Sequence, residues 1–284
     1  EIESVMDALS APVTIAYMGE PGSYTHQAAL RHFGHALDSR PLEAVGDVFR
    51  AVGGGDVDYG VVPIENSNEG AVSHTLDMFV DADVHICAEE YLPIHHHLMG
   101  VCPRDEMTRV YSHPMGFAQC RRWMAVNMAG VECIETTSTS RAAACAAKEE
   151  GAGAIAGALC AELYGLTIRA KGIEDSSENT TRFLVIGSSP APCAEKCKTS
   201  IVFSVKHEAG ALFDALAPFR EADINLTKIE SRPSKVRAWE YYFFVDFVGH
   251  AREARITEAL DALGAHCHFV KILGSYPSGE WPQK

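Results

Sequence analysis

Residues 13–33 read VTIAYMGEPGSYTHQAALRHF, and their order decides the fold class. Val13 to Tyr17 is a short apolar run, Gly19-Glu20-Pro21-Gly22 forms a turn, and Thr25 to Phe33 carries helical periodicity. A strand, a loop and a helix in succession are the building unit of layered α/β structure. Outward from this unit the alternation recurs: strand Val57 to Ile64, helix Glu69 to Val80, a broken strand region over Val84 to Cys102, strand Val110 to His113 and helix Met115 to Met128. Strand Val131 to Thr136, helix Ser140 to Lys148, strand Ala154 to Ala156, helix Ala158 to Tyr164 and strand Thr181 to Gly187 follow.

Periodicity stops over residues 189–198, where Pro190 and Pro192 sit close together, and this segment reads as a linker. Beyond it come strand Ser200 to Lys206, helix Ala211 to Glu221, strands Ile224 to Ser231 and Glu240 to Val248, helix Arg252 to Leu263 and strand Cys267 to Leu273. That βαββαβ order is the ferredoxin-like arrangement, with helices on one face of a four-stranded sheet and the other face or an edge left for a partner or ligand. The expected division is a domain over 13–188, the linker, and an α+β domain over 199–276.

Composition narrows the functional classes. The 284 residues suffice for more than one domain at about 100 to 200 residues each. Lysine and arginine number 24 against 38 aspartate and glutamate, a formal charge of −14 with no basic block, which argues against a nucleic-acid partner. The longest apolar run, Gly151 to Ala161, is too short and too rich in small residues for a membrane span. Glu1-Ile2-Glu3 lacks the basic and apolar regions of a secretory signal, and most of the nine cysteines lie in apolar stretches, as buried thiols do. These features predict a cytoplasmic enzyme or binding protein.

Several segments place polar groups where strands open into helices. Gly19 to Thr25 can receive an anion on free N–H groups and the Ser23 and Thr25 hydroxyls, or can be a plain N-cap and turn. It lacks a Gly-x-Gly and is no dinucleotide fingerprint. Glu65, Asn66 and Ser67 end an apolar strand, where ligands of open α/β sheets gather, although Asn and Ser also serve as ordinary caps. His113 stands between Ser112 and Pro114 at another strand end, either structural or facing a site. In Asn179-Thr180-Thr181-Arg182-Phe183, the guanidinium can bind a carboxylate and a hydroxyl can assist a leaving oxygen; strand-start polarity is the alternative. Glu230 and Arg232 share a strand face, as a structural pair or as walls of an interface pocket. His95-His96-His97 point alternately if they lie on a strand, so at most two could share an ion, and no carboxylate or cysteine is suitably spaced. Cys193 and Cys197 are a weaker pair still. No metal site is predicted.

Taken in order, these segments resemble prephenate dehydratase joined to an ACT regulatory domain. The residues that carry the resemblance are Gly19 to Thr25, Pro63-Ile64-Glu65-Asn66-Ser67, Ser112-His113-Pro114, Thr181-Arg182-Phe183, Gly210-Ala211-Leu212 and Glu230-Ser231-Arg232-Pro233. The resemblance implies two α/β lobes similar to type II periplasmic-binding proteins, with the site between them. It implies cofactor-free decarboxylation and dehydration of prephenate to phenylpyruvate, on the route to phenylalanine. Thr181 is then the catalytic hydroxyl. Ser23, Thr25, Asn66, Ser67, His113, Ser138, Thr139, Ser140, Asn179, Arg182 and Phe183 bind substrate, with Arg182 holding a carboxylate. Phenylalanine is expected at Gly210, Ala211, Leu212, Asn225, Leu226, Glu230, Ser231 and Arg232 between subunits of a homodimer or homotetramer.

Met115 stands where relatives commonly have glutamine, and the arm before Val13 is shorter than a chorismate mutase domain, so one activity is expected. Arogenate dehydratase is the close alternative, since its substrate differs only by an amino group in place of the side-chain keto oxygen. A non-enzymatic amino-acid sensor is the distant one, and no output segment accompanies it.

Overall fold

The computed structural model describes residues 13–35, 37–192, 196–234 and 240–279. The first lobe contains β1 (Thr14–Met18), α1 (Tyr24–Phe33), β2 (Asp38–Leu42), α2 (Val45–Gly53), β3 (Tyr59–Asn66), β4 (Gly70–Ala71), α3 (Ser73–Asp81) and β5 (His85–Pro93). The second contains β6 (His97–Gly100), β7 (Arg109–Ser112), α4 (Pro114–Gln119), α5 (Arg121–Asn127), β8 (Glu132–Glu135), α6 (Thr139–Ala146), β9 (Ala152–Ala156), α7 (Ala158–Tyr164) and β10 (Thr167–Ala170). The chain then returns as β11 (Thr180–Gly187) between β3 and β5, antiparallel to both. The sheet orders are β2-β1-β3-β11-β5, with β4 on β3, and β10-β6-β9-β7-β8. The backbone therefore passes between the lobes twice, after Pro93 and before Thr180.

Every residue of β11 is buried, because the sheet is covered on both faces. Phe183 and Val185 pack with Ile15, Tyr17, Ala28 and Ala29 beneath α1. Leu184 and Ile186 face the other way, onto Val48 and Val52 of α2. Period-two alternation thus sends neighbours on this strand into different environments.

The third unit comprises β12 (Cys197–Val205), α8 (Ala211–Glu221), β13 (Leu226–Pro233), β14 (Tyr241–Val248), α9 (Ala254–His266) and β15 (Cys267–Pro277), in the order β13-β14-β12-β15. This is the βαββαβ sheet expected from the sequence. Ile201, Phe203, Val245 and Phe247 pack under Phe219, Ile256 and Leu263 of its helices. Its second face is not open: Val202, Phe244, Leu273 and Tyr276 share one core with Phe79, Ile86 and Leu184 of the first lobe. At Gly274 the two units approach so closely that a Cβ would overlap the Ile86 backbone. Lys271 Nζ reaches across to the carbonyl oxygens of Phe79 (2.9 Å) and Ala82 (2.6 Å) at the end of α3.

Two expected helices differ from the structure, and three elements carry no signal in the sequence reading. The helix expected over Met115 to Met128 breaks at Cys120, where both Asp175 carboxylate oxygens accept from the Arg122 N–H at 3.1 Å and start a new helix. The helix expected from Glu69 begins only at Ser73, because Gly70 at φ +82° turns the chain into β4 first. The edge strand β2 was not anticipated; it carries Pro41 and is largely exposed, so it shows no apolar alternation. Helix α2 and strand β10 were also not anticipated. Linker residues 193–195, Cys193 among them, lie outside the described residues, as do residues 1–12. Among the described residues no helix is long and apolar enough to cross a membrane.

Candidate active site

A cavity of about 460 Å³ lies between the lobes. From the first lobe it is lined by the β1–α1 loop with Ser23 and Thr25, by Asn66 and the turn that follows it, and by Thr181 and Phe183 of β11. From the second it is lined by His113, by Gln119, and by Ser138, Thr139 and Ser140 at the start of α6. Asn179 closes it from the returning chain. Helices start at this cavity repeatedly. Ser23 caps α1 by accepting from the His26 N–H, His113 caps α4 by accepting from Met115 N–H on Nδ1, and Ser138 caps α6 by accepting from Arg141 N–H. Val72, which precedes α3, lines it too. Orphan N–H groups and the positive ends of these helices favour an anion. Among the described residues no lysine or arginine is part of the lining, which does include Glu20 and Glu69. Glu20 Oε2 accepts from Ser138 Oγ at 2.7 Å and so bridges the lobes.

At the centre stand Thr181 and Asn66, direct partners in the β11–β3 register. Asn66 Nδ2 donates to Thr181 Oγ1 at 2.8 Å and to Asn179 Oδ1 at 2.7 Å. Asn179 Nδ2 donates to Gln119 Oε1 at 3.2 Å, and that oxygen lies 2.7 Å from His96 Nε2. Tyr24 OH is 2.9 Å from His96 Nδ1. Burial pushes the Tyr24 phenol well above its usual pKa and lowers that of the His96 imidazole, although the Gln119 hydrogen bond and Glu174 work the other way on the latter.

Two of the expected substrate ligands lie elsewhere. Arg182, between Thr181 and Phe183, points to the opposite face of the sheet. There its Nε donates to Glu89 (2.7 Å), Nη1 to Asp246 (2.6 Å) and Nη2 to Tyr276 OH (3.0 Å). Burial works against its charge, but Asp246, Tyr276 and Glu89 outweigh that and hold its pKa above the ordinary range. Lys198 Nζ completes this buried cluster by donating to Glu89 at 2.7 Å. Arg182 is therefore an interdomain strut and holds no carboxylate in the cleft. Ser67 also faces away: its hydroxyl donates to Glu178 O and accepts from Thr180 N–H, tying the β3 end to the returning chain. The other expected ligands, Ser23, Thr25, Asn66, His113, Ser138, Thr139, Ser140, Asn179 and Phe183, surround the cavity with Thr181.

In the C-terminal unit, Gly210 takes φ +87° to open α8, and Ala211 and Leu212 line a cavity of about 160 Å³ with Tyr241 and Phe243. None of the other expected effector residues lines it. Asn225 is exposed, and Leu226 packs on the helix-covered core. Glu230 and Arg232 lie on the face turned to the first lobe, opposite Phe244 and Tyr242, while Ser231 faces the other way and is exposed. Arg232 Nε and Nη2 donate to Asp77 of α3 at 3.2 and 3.3 Å, so its partner is a carboxylate of the first lobe.

The histidine run has three separate destinations. His95 pairs with Glu174 at 2.8 Å, His96 joins the network above, and His97 Nδ1 accepts from Gly172 N–H. Among the described residues no group of three or more metal-ligating side chains converges. Sequence reasoning missed Tyr24, His96, Gln119 and Glu20 as cleft residues. The strand-end rule that selected Asn66 could have found Glu20, but Gln119 carries no such signal, since its place in the cleft shows only in its contacts with Asn179 and His96, both distant in the chain.

The family model described as prephenate dehydratase matches residues 15–191, and that described as ACT domain matches residues 199–265. A bifunctional chorismate mutase/prephenate dehydratase of Pseudomonas aeruginosa is 46% identical over 98% of this chain and 76% of its own length. A prephenate dehydratase from Arthrobacter aurescens, solved in complex with L-Phe, superposes with a TM-score of 0.84 at 29% identity, covering 93% of this chain and 90% of that one. A structure described as a novel type of quorum quenching acylase, GqqA, superposes with a TM-score of 0.85 at 29% identity over 93% of this chain and 98% of that one.

Proposed function

The chain belongs to the prephenate dehydratase family, with an ACT domain after the dehydratase region, and from that premise we propose how its cleft turns prephenate into phenylpyruvate. One fold can host unrelated chemistry, so function follows from the residues of the site and not from superposition. The observation that carries it is Thr181, a hydroxyl at the wall of a cavity ringed by helix starts and hydrogen-bonded to Asn66.

Prephenate carries a ring carboxylate, a side-chain carboxylate and a ring hydroxyl. When the ring carboxylate leaves as carbon dioxide, its bonding electron pair enters the ring and expels the hydroxyl as hydroxide or, with a proton, as water. The product ring is aromatic, which supplies the drive. The protein has to orient the dianion and ease the oxygen away. Helix starts at Ser23, His113 and Ser138 hold the carboxylates through N–H groups, with the Ser23 and Thr25 hydroxyls beside them, and Thr181 donates a hydrogen bond to the departing oxygen. Threonine is too weak an acid for full transfer by itself, so its contribution is stabilisation of developing charge. Phe183, on the same strand face, offers an apolar wall to the ring.

Phenylalanine acts through the ACT domain, and the Arthrobacter relative's complex with L-Phe supports that reading. We place the catalytic region at 13–188 and the ACT domain from the start of β12 to the end of β15, Cys197 to Pro277, joined by residues 189–196 and not by the full 189–198 read from the sequence. The effector site is formed between ACT domains of two or four subunits in the cytoplasm. The cavity by Ala211 and Leu212 is its half in one chain.

The test is formation of ultraviolet-absorbing phenylpyruvate from prephenate, with and without phenylalanine. Thr181→Ala lowers kcat by about 100-fold or more, as loss of a donor to a developing oxyanion does, with an unchanged unfolding midpoint. Full activity in purified Thr181→Ala protein removes the assignment. Arogenate in place of prephenate separates the two substrate preferences by relative rate.

A further inference from the structure

The direction of each polar hydrogen around Thr181 can be traced from the backbone, where N–H groups only donate. Those of Asn68 and Glu69 meet Asn66 Oδ1 at 3.0 and 3.1 Å, so that end of the amide is the carbonyl oxygen. Asn66 Nδ2 therefore donates, to Asn179 Oδ1 and to Thr181 Oγ1. Asn179 has only Nδ2 left for Gln119, which must present Oε1. His96 Nε2, 2.7 Å from the same oxygen, must then carry a hydrogen. On the other side of the ring, the Tyr24 hydroxyl reaches both Nδ1 and the carbonyl oxygen of His95, each at 2.9 Å. Burial disfavours a charged imidazole here, which leaves the neutral ring with a bare Nδ1 that accepts from Tyr24.

Two donors are left over. Thr181 Oγ1 accepts from Asn66, and its own hydrogen meets no acceptor among the described residues. Gln119 Nε2 also has none there. Both side chains line the cleft. We propose that His96 is a positioning residue for the dehydration: as the Nε2–H tautomer it fixes the Gln119 carboxamide with oxygen inward and nitrogen toward the cleft, so that Gln119 and Thr181 present two donors to one substrate. This deepens the reading above and rests on it. A ring with bare Nε2 would set two lone pairs against each other, and turning the Gln119 amide to relieve that would break its bond from Asn179. Each donor gains strength as negative charge gathers on the departing oxygen, so the effect falls on kcat.

Glutamine can place an N–H where Nε2 stands, whereas asparagine reaches only the place of Nδ1. His96→Gln is expected to exceed His96→Asn in kcat by about tenfold or more, with KM values alike and both unfolding midpoints close together. Equal kcat in the two variants, or wild-type kcat in His96→Asn, overturns the proposal. Nitrogen-15 shifts of the ring, assigned by loss of the signal in His96→Gln, give a readout that needs no turnover: a protonated Nε2 and bare Nδ1 near neutral pH are expected, and the reverse tautomer overturns it. Wild-type protein that forms no phenylpyruvate would sink the activity reading while leaving the tautomer measurable. Active wild-type protein with equal variants sinks only the role of His96.

Discussion

Thr181 and Arg182 are joined by one peptide bond and serve different parts of the molecule, because a strand sends adjacent side chains to opposite faces. Thr181 and Phe183 face the cleft, and Arg182 faces the ACT sheet. A substrate ligand and an interdomain strut make different predictions for Arg182→Met. If the guanidinium held prephenate, KM would rise and stability would barely change. As the strut it is, its loss strands Glu89 and Asp246 in a buried site with Lys198 as the cation remaining in that cluster. Removing one partner of a buried ion pair costs about 3–5 kcal/mol. Urea unfolding should show a loss of that order, with KM of the folded fraction close to wild type. A several-fold higher KM at unchanged stability would return Arg182 to the cleft. The correction was available in the sequence: once Thr181 and Phe183 face a site, alternation excludes Arg182 from it.

Elements were legible wherever their signal is local. The apolar runs of β1, β3 and β11 and the βαββαβ order stand in the sequence, and so do the polar strand ends that became the cleft wall. Gln119 and His96 were not, since their places depend on Asn179 meeting Gln119 and on the hinge segment meeting α1, both contacts between residues distant in the chain. The grip of the ACT sheet on α3 is equally non-local. Lys271 crowns the helix's C-terminal carbonyls and Arg232 holds Asp77 on its flank, while the N-terminal end of the same helix follows the turn of Glu69 to Val72 at the cleft. A shift of the ACT sheet therefore acts on a helix whose other end adjoins the cleft. Lys271→Met removes the cationic cap, worth about 0.3–1 kcal/mol at such a helix end, and loosens one of the two attachments. Turnover without phenylalanine should stay within about twofold, and the change produced by phenylalanine should shrink. An undiminished response would mean that coupling runs through another contact, with the Arg182 cluster the next to examine.

At the scale of the whole molecule, a chain of formal charge −14 must admit a dianion. With Arg182 on the other face, no lysine or arginine among the described residues lines the cleft, and attraction comes from helix starts whose influence fades within about a turn. The field beyond that range is set by the net charge and by Glu20 and Glu69 in the lining, so an approaching dianion is repelled at long range and held only at short range. Salt acts mainly on the first part. The screening length shrinks from about 30 Å at 0.01 M to about 8 Å at 0.15 M, while contacts inside the cavity change little. Raising ionic strength over that interval should therefore increase kcat/KM for prephenate, chiefly through a lower KM, with kcat nearly constant. Steering by cationic side chains gives the opposite slope. A fall in kcat/KM with salt would show that a lysine or arginine reaches the substrate, and the helix-start account of binding would have to be abandoned.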